Sequence, residues 1–335
     1  MSISALPASS PRHASVLSRF TRQREYGVLG LLVLTLLVVG VVNHAFLAPD
    51  NLRDILVASV PTVIVACGLT FVVILGEIDI SMGSLLGLLA TVMGQLTSPA
   101  HAGMSVGIGI AVTLALGAGV GLINGLLVAY GRMPSIIVTL GMLTVLQGIN
   151  LTLINGKFIT DLPAGLRFFG IGRIEGIPVS IWTAVVVVCL ALFLARQMPL
   201  GRRLYAAGSN PEAARLAGLN VQALKVFVFT LTGFLTAVAA IVSVPRLGII
   251  QSGIGQGFEL LVVTCVVVGG TSISGGRGTV VGSALAALLL GVVSPMLIFL
   301  RLGVSATYWE RAIQGAFILA AVLIDHATRR RGAHS

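Results

Sequence analysis

Residues 28–46 read Val28-Leu-Gly-Leu-Leu-Val-Leu-Thr-Leu-Leu-Val-Val-Gly-Val-Val-Asn-His-Ala-Phe46, with no Asp, Glu, Lys or Arg among them. An α-helix needs about 20 mostly apolar residues to cross a bilayer, because each backbone N–H and C=O must find its partner within the segment. Four arginines between positions 12 and 24 precede this run, but it is too long for a signal peptide and no small-x-small cleavage site follows it. The run therefore predicts an uncleaved first membrane span.

The rest of the sequence repeats this apolar pattern. Of 335 residues, 56% are hydrophobic and 10% are charged, whereas soluble domains average roughly 25% charged residues. We predict an all-α polytopic membrane protein with about ten spans. The third and eighth adjoin short glycine-rich stretches and could equally be re-entrant. The predicted spans are Val28–Phe46, Ile55–Leu75, Ile80–Leu96, Met104–Tyr130, Ser135–Leu153, Ile177–Ala195, Val226–Val244, Gly257–Ile273, Val280–Leu300 and Tyr308–Ile324.

The distribution of basic residues predicts the orientation of these spans. Segments on the cytoplasmic side carry an excess of Lys and Arg, and this excess arises when both termini are placed inside. A basic tail (1–26) and a second tail (326–335) would then flank one transmembrane domain (27–325) with a cytoplasmic loop at 196–225. The inside segments would contain Arg12, Arg19, Arg22, Arg24, Arg132, Arg196, Arg202, Arg203, Arg215, Lys225, Arg277 and Arg329 to Arg331.

Charge and cysteine usage argue against two other classes of protein. The formal net charge is +10, but the basic residues are dispersed among loops rather than gathered on one soluble face, so a nucleic-acid partner is not expected. Cys67, Cys189 and Cys265 lie in separate apolar runs without a nearby His. They are interpreted as small core residues, and neither a disulfide nor a metal site nor a cofactor is predicted.

Glycines recur at helical spacing in the predicted spans. Small residues at every fourth position let helix backbones approach closely in lipid, and Gly117, Gly121 and Gly125 form such a series. A second series of small residues runs through Gly278, Gly282 and Ala286, and a shorter one through Gly83 and Gly87. Chance spacing is the alternative in a chain with 41 glycines. The three series together favour helix-packing faces.

The predicted cytoplasmic loop contains a short helix with explicit end signals. Asn210 is a good N-cap, Pro211 suits the first helical position, Glu212 complements the positive helix end, and Gly218 can end the helix in the left-handed conformation. These residues predict a two-turn helix over Pro211–Ala217. Its pattern Glu-Ala-Ala-x-x-x-Gly resembles the loop by which permeases of ATP-binding-cassette importers dock on their ATPases.

Four longer stretches extend that resemblance to the ribose-type branch of these permeases. They are Gly68-Leu-Thr-Phe-Val-Val-Ile-Leu-Gly-Glu-Ile-Asp-Ile-Ser-Met-Gly-Ser84, Pro134-Ser-Ile-Ile-Val-Thr-Leu-Gly141, Gly201-Arg-Arg-Leu-Tyr-Ala-Ala-Gly-Ser-Asn-Pro-Glu-Ala-Ala-Arg-Leu-Ala-Gly218 and Val268-Gly-Gly-Thr-Ser-Ile-Ser-Gly-Gly-Arg-Gly278. The resemblance implies a type II-like importer permease in a bacterial cytoplasmic membrane. The family carries ribose, xylose, galactose, rhamnose and related sugars, and some members carry a furanosyl autoinducer.

The resemblance also implies partners and contact residues. The expected partners are a cytoplasmic ATPase, a second permease copy or homologue, and an extracytoplasmic solute-binding protein. The chain itself would catalyse no reaction. The loop 270–278 lacks the Lys-Ser/Thr of a phosphate-binding loop, so ATP would be hydrolysed by another polypeptide. The residues expected to couple to the ATPase are Arg202, Asn210, Glu212, Ala213, Ala214 and Gly218.

Two turns between predicted spans are candidates for a cytoplasmic gate. They share Gly, Ile-Ser and Gly at matching places and contain Gly76, Glu77, Asp79 and Ser81 in one and Gly269, Gly270, Gly276 and Arg277 in the other. The family more often has Gly-Gly-Ile-Asp-Leu-Ser where this chain has Gly76-Glu-Ile-Asp-Ile-Ser81. Asp79 could cap a helix beginning near Ile80. Gating, ATPase contact and proton coupling stay open for the carboxylate pair.

Polar residues within the predicted spans could contact a sugar. Hydroxyl and amide groups could exchange hydrogen bonds with a desolvated polyol, but they serve equally well to hold helices together. The candidates are Asn124, Thr139, Gln147 and Asn150. A rival function is an ion-coupled transporter acting alone through Glu77 and Asp79. A membrane-embedded hydrolase is not supported, because the spans contain no Ser–His or metal constellation.

Overall fold

The computed structural model describes residues 24–300 together with Trp309, Ala312, Ile313, Gly315, Ala316, Phe317 and Leu319. Most of the predicted span Tyr308–Ile324 lies outside these residues. So do Arg12, Arg19, Arg22 and the tail 326–335.

The described chain is almost entirely helical. Its only strands in residues 24–300 are the two-residue partners of a small antiparallel hairpin. The helices are α1 (Arg24–Val42), α2 (Pro49–Ile74), α3 (Met82–Thr97), α4 (Val106–Ala129), α5 (Ser135–Ile154), α6 (Ala164–Ile171), α7 (Val179–Arg196), α8 (Pro199–Ser209), α9 (Pro211–Leu216), α10 (Val221–Leu247), α11 (Phe258–Val268) and α12 (Val280–Phe299), with a 3₁₀ turn at His44–Leu47 and strands β1 (Arg173–Ile174) and β2 (Ile177–Pro178).

Seven helices of the described part are long and apolar enough to cross a membrane, namely α1, α2, α4, α5, α7, α10 and α12. Each corresponds to one of the ten predicted spans, which confirms the all-α polytopic class. The third and eighth predicted spans are shorter: α3 has 16 residues and α11 has 11. At 1.5 Å per residue they cover about 24 Å and about 17 Å, less than the roughly 30 Å of a hydrocarbon core.

The core of the bundle lies around α2 and α10. In α2, 83% of the most apolar window is buried, and in α10 the share is 61%, against 22% to 28% in α1, α4, α5 and α7. Helix α10 packs along α4 and α2, and α12 packs on α2. The four less buried helices therefore present apolar outer faces, as expected of helices that border lipid.

The glycines of α4 lie against α10. A Cβ on Gly117 would fall 2.6 Å from the carbonyl oxygen of Gly233, and one on Gly121 would overlap the carbonyl oxygen of Phe229. A Cβ on Gly125 would lie 2.8 Å from Val226 Cα. The two backbones can approach this closely only because no side chain separates them.

The second glycine series has a different arrangement from the one predicted. Gly278 lies before α12, which begins at Val280, and it faces the Thr271 side chain of its own loop. Gly282 lies on α12, where a Cβ would overlap the carbonyl oxygen of Gly269. The two glycines therefore do not share a helical face, because Gly278 is still in the loop that precedes the helix.

The segment between α10 and α11 enters the bundle without helical structure. It starts beside the end of α5, where Ile250 forms a β-bridge with Ile159, and reaches the glycine face of α3. A Cβ on Gly83 would lie 2.5 Å from the carbonyl oxygen of Gly255, and one on Gly87 would overlap that of Ile254. Non-helical backbone at membrane depth is tolerated where protein covers it, and the α3 glycines provide that cover.

Candidate functional site

Three separate parts of the chain meet at one end of the bundle. They are the turn 75–81 after α2, the helix α8, and the loop 269–279 before α12, and together we call them the junction. The N–H of Gly276 donates to the carbonyl oxygen of Ile74 over 2.8 Å. A Cβ on Gly208 of α8 would overlap the same carbonyl oxygen and lie 2.9 Å from the nitrogen of Gly276. The end of α2 is thus in direct backbone contact with both other parts.

Two loop glycines at the junction have conformations that other residues avoid. Gly275 and Gly276 have φ of 82° and 74°, in the left-handed region that disfavours residues with a Cβ. A Cβ on Gly275 would also lie 2.8 Å from the carbonyl oxygen of Gly208, and one on Gly276 would lie 2.7 Å from the hydroxyl of Ser209. Conformation and space both require glycine here.

A tyrosine adds a polar link between α8 and the loop. The hydroxyl of Tyr205 donates to the carbonyl oxygen of Gly278 over 2.8 Å. Burial raises the pKa of Tyr205 above its ordinary value, with Arg196 lowering it and Glu25 raising it further. The hydroxyl therefore keeps its proton, and its role as a donor, at neutral and mildly alkaline pH.

The turn 75–81 is held by its own side chains and by two helices. Both the N–H and the hydroxyl of Ser81 donate to Asp79 Oδ1, over 2.8 and 2.7 Å. Asn124 of α4 donates to the Ser81 hydroxyl over 3.0 Å, and Ser135 at the start of α5 accepts from the N–H of Ile78 over 3.1 Å. Helix α3 begins at Met82, not near Ile80 as predicted. Asp79 therefore closes the turn that precedes the helix, because its carboxylate reaches the residue two positions on.

Glu77 forms an ion pair with Lys225 of α10. Both side chains are largely covered, with 14% of Glu77 and 22% of Lys225 exposed. Partial burial reduces screening of the pair by water and salt. The ion pair thus ties the turn 75–81 to the first turns of α10.

The predicted loop helix is present as α9, which ends one residue before the predicted boundary. Asn210 Oδ1 accepts from the N–H groups of Glu212 and Ala213 over 3.1 and 2.9 Å, and Ala214 is buried. Gly218 has φ of 81° and open space around it. Leu216 is 88% exposed. Helix α9 therefore presents most of its surface, including the Leu216 side chain, to its surroundings.

Sequence reasoning missed three features of this region: helix α8, its close contact at Gly208, and the partner of Glu77. Helix α8 carries Gly201, Arg202 and Arg203 in its first half, a composition that hydropathy does not distinguish from a loop. Arg202 is exposed, whereas Gly201, Leu204, Ala207 and Gly208 are buried. That spacing of small and apolar residues was the available signal for one buried helical face.

Two of the four candidate pathway residues contact the turn 75–81, and two lie elsewhere. Asn124 donates to the Ser81 hydroxyl, and the Thr139 hydroxyl lies 2.9 Å from the carbonyl oxygen of Ser135 and 3.4 Å from that of Ile78. Asn150 accepts from Thr91 of α3 over 2.6 Å, and Gln147 is half-buried on α5. These contacts suit the helix-packing alternative. Among the described residues, no group of three His, Cys, Asp or Glu could hold a metal ion.

Comparisons with known proteins extend over nearly the whole chain. A family model described as branched-chain amino acid transport system / permease component matches residues 51–322. The ribose import permease protein RbsC of Escherichia coli (strain K12) is 37% identical over 308 residues, covering 90% of this chain and 93% of that protein. RbsC of Bacillus subtilis (strain 168) is 38% identical over 300 residues, covering 89% and 91%.

A relative named for a different solute is also similar. The autoinducer 2 import system permease protein LsrC of Escherichia coli O9:H4 (strain HS) is 31% identical over 306 residues, covering 91% of this chain and 88% of LsrC. No solved structure matches the chain.

Proposed function

Since the chain belongs to the family of branched-chain amino acid transport system / permease components, we propose that it is the membrane-spanning subunit of an ATP-binding-cassette importer for a monosaccharide. The near full-length similarity to ribose import permeases carries this proposal and confirms the resemblance to the ribose-type branch. A furanosyl signal is the second candidate solute, because the autoinducer 2 permease is 31% identical.

The proposal places the junction and the α8–α9 segment on the cytoplasmic side, where an ATPase can reach them. The exposed Arg202, Arg203 and Arg215 on this segment support that side by the positive-inside rule. Both termini would then be cytoplasmic in a bacterial inner membrane. The hairpin β1–β2 and helix α6 would face an extracytoplasmic binding protein at the opposite end.

Transmission from the ATPase to the bundle would be mechanical. A partner that holds α9 would move α8 with it, and α8 touches the end of α2 at Gly208 and the loop before α12 at Gly276. The Glu77–Lys225 pair links the next turn to α10. ATP binding would therefore bias two arrangements of α2, α10 and α12, since a ligand shifts conformations only by its differential affinity for them.

The ion-coupled alternative is less well supported by the contacts of its two carboxylates. Glu77 is engaged by Lys225, and Asp79 accepts two bonds from Ser81. Asp79 is also buried. A second permease copy remains part of the proposal, because importers of this class are expected to build their pathway between two such subunits.

We expect uptake to depend on ATP and on a second polypeptide. Vesicles containing this chain alone should accumulate no ribose under a proton gradient. Vesicles that also contain its ATPase, with binding protein added outside and ATP inside, should accumulate labelled monosaccharide. Gradient-driven uptake by the chain alone would establish the ion-coupled alternative in place of this one.

A bulky side chain on α9 should weaken ATPase docking. We expect Glu212→Trp to reduce co-purification of the ATPase about tenfold, a loss of roughly 1.4 kcal/mol in binding free energy, because the indole enlarges an exposed surface that must fit a groove. Arg167→Trp on the exposed surface of α6 is the matched control and should leave co-purification unchanged. Equal recovery of the ATPase with both variants would remove α9 from the docking surface.

A further inference from the structure

A basic cavity lies beside the junction, where α4 ends, α5 begins and α9 leads into α10. Its volume is about 560 Å³. Cationic side chains reach it from three elements: Arg132 from the link between α4 and α5, Arg215 from α9 and Lys225 from α10. Glu77 is the acidic group in the lining. The cavity therefore collects charge from parts of the chain that are distant in sequence.

The cavity has an uncompensated positive charge of two. Lys225 is neutralised by its ion pair with Glu77. Neither Arg132 nor Arg215 pairs with a carboxylate within residues 24–300, and both are exposed. Pro134 and Met133 also line the cavity, so it adjoins the N-terminus of α5, where the helix carries partial positive charge. An anion is the complementary ligand.

The backbone holds Arg132 in an unusual conformation at this place. Its φ is 55°, in the left-handed region that few residues other than glycine occupy. Such conformations cost free energy and persist where the surrounding structure imposes them. The tight link from α4 to α5 thus holds the backbone of Arg132 at the rim of the cavity, which its side chain lines.

The surroundings of the cavity select among anions. The outer surface of α4, α5 and the link between them is apolar near the cavity: Leu126 is 43% exposed, Met133 48%, Ile136 50% and Ile137 64%. These helices are among the least buried of the bundle. A ligand with an anionic head and hydrocarbon chains satisfies both surfaces, and basic pockets between membrane helices bind such head groups.

We propose that this cavity binds the phosphate head group of an anionic phospholipid, with Arg132 and Arg215 contacting the phosphate and the acyl chains lying along α4 and α5. The lipid would contact α9 and the α4–α5 link at once, so it would hold the docking helix against the lipid-facing side of the bundle. This inference concerns lipid binding by the chain itself and does not depend on the transported solute.

The test counts lipids retained by the full chain. Protein purified from membranes in mild detergent is mixed with equal amounts of phosphatidylglycerol and phosphatidylcholine, and bound lipids are counted by native mass spectrometry. We expect selective retention of phosphatidylglycerol. Arg132→Asn should lower it about fivefold, as expected for loss of one basic residue at an anionic surface. Asparagine tolerates positive φ, so this variant removes the charge without straining the link.

Two further variants separate charge from structure. Arg132→Lys keeps the charge and should keep most of the selectivity, and Arg173→Gln in β1 at the opposite end should behave as wild type. Equal retention of both lipids by the wild-type chain would overturn the proposal, whether or not the variants fold. Unchanged selectivity in Arg132→Asn would overturn it as well. Release of the lipid by millimolar inorganic phosphate would indicate a soluble anion as the ligand instead, and release by the ATPase subunit would indicate a protein partner.

Discussion

Replacement of Gly208 by Val should lower ATP-driven uptake by at least about tenfold while the chain still inserts into the membrane. The new side chain would overlap the carbonyl oxygen of Ile74, and backbone atoms cannot move aside as a flexible side chain can. Overpacking of this kind costs typically 1–3 kcal/mol. Here the strain falls on the contact between α8 and α2. We therefore expect α8 to be displaced, so that a docked ATPase can no longer move α2.

The control for Gly208→Val lies on the same helix. Ala206 is exposed, so Ala206→Val adds similar apolar volume without entering the junction and should transport normally. Uptake into vesicles and ATPase co-purification, measured together, identify the defect. In the Gly208→Val variant, co-purification of the ATPase should fall less than uptake does. Normal uptake by this variant would show that close contact between α8 and α2 is not needed for coupling.

Gly121→Val should destabilise the bundle itself. A Cβ at this position would overlap the carbonyl oxygen of Phe229 and lie 3.0 Å from Thr230 Cα. The α4–α10 contact is the most extensive between helices of the described chain, so forcing these helices apart also separates the residues on either side. We expect loss of roughly 1–3 kcal/mol of unfolding free energy, seen as a lower Tm of the purified protein.

Gly119 provides the matched control, two residues earlier on the same helix. A Cβ there would meet nothing within 4 Å, so Gly119→Val has the same change in helix propensity and a different environment. Its Tm should stay close to that of the wild-type protein. Equal Tm losses in the two variants would attribute the effect to helix propensity and would argue against close packing of α4 on α10.

Local signals in the sequence predicted the helices well where a single property, such as the length of an apolar run or a capping residue, determines the structure. Apolar runs of spanning length predicted the seven long helices, because lipid leaves a spanning backbone little alternative to the helix. Asn210 and Pro211 predicted the start of α9 to the residue, because capping is a contact between neighbours in sequence. The family resemblance was likewise readable from four stretches of the chain.

The candidate site was only partly predictable, because its contacts join residues far apart in sequence. Gly208 resembles any other glycine until Ile74 and Gly276 are placed beside it. The sequence did not indicate which basic residue pairs with Glu77, because only the fold brings Lys225 to it. The sequence leaves the eighth predicted span, Gly257–Ile273, open between a full and a re-entrant helix, and its helix α11 covers only Phe258–Val268. The non-helical stretch before it lies on the glycines of α3, a contact that only the fold reveals.

The non-helical passage between α10 and α11 has a consequence for biogenesis. A non-helical stretch does not pair all of its peptide groups internally as a helix does, so the chain around Ile254 and Gly255 has no favourable resting place in bare lipid until Gly83 and Gly87 are available to pack against it. The C-terminal third should therefore settle only after the α3 region has entered the bilayer. Synthesised without that region, it should be retained by chaperones or degraded rather than accumulate as an independent membrane fragment.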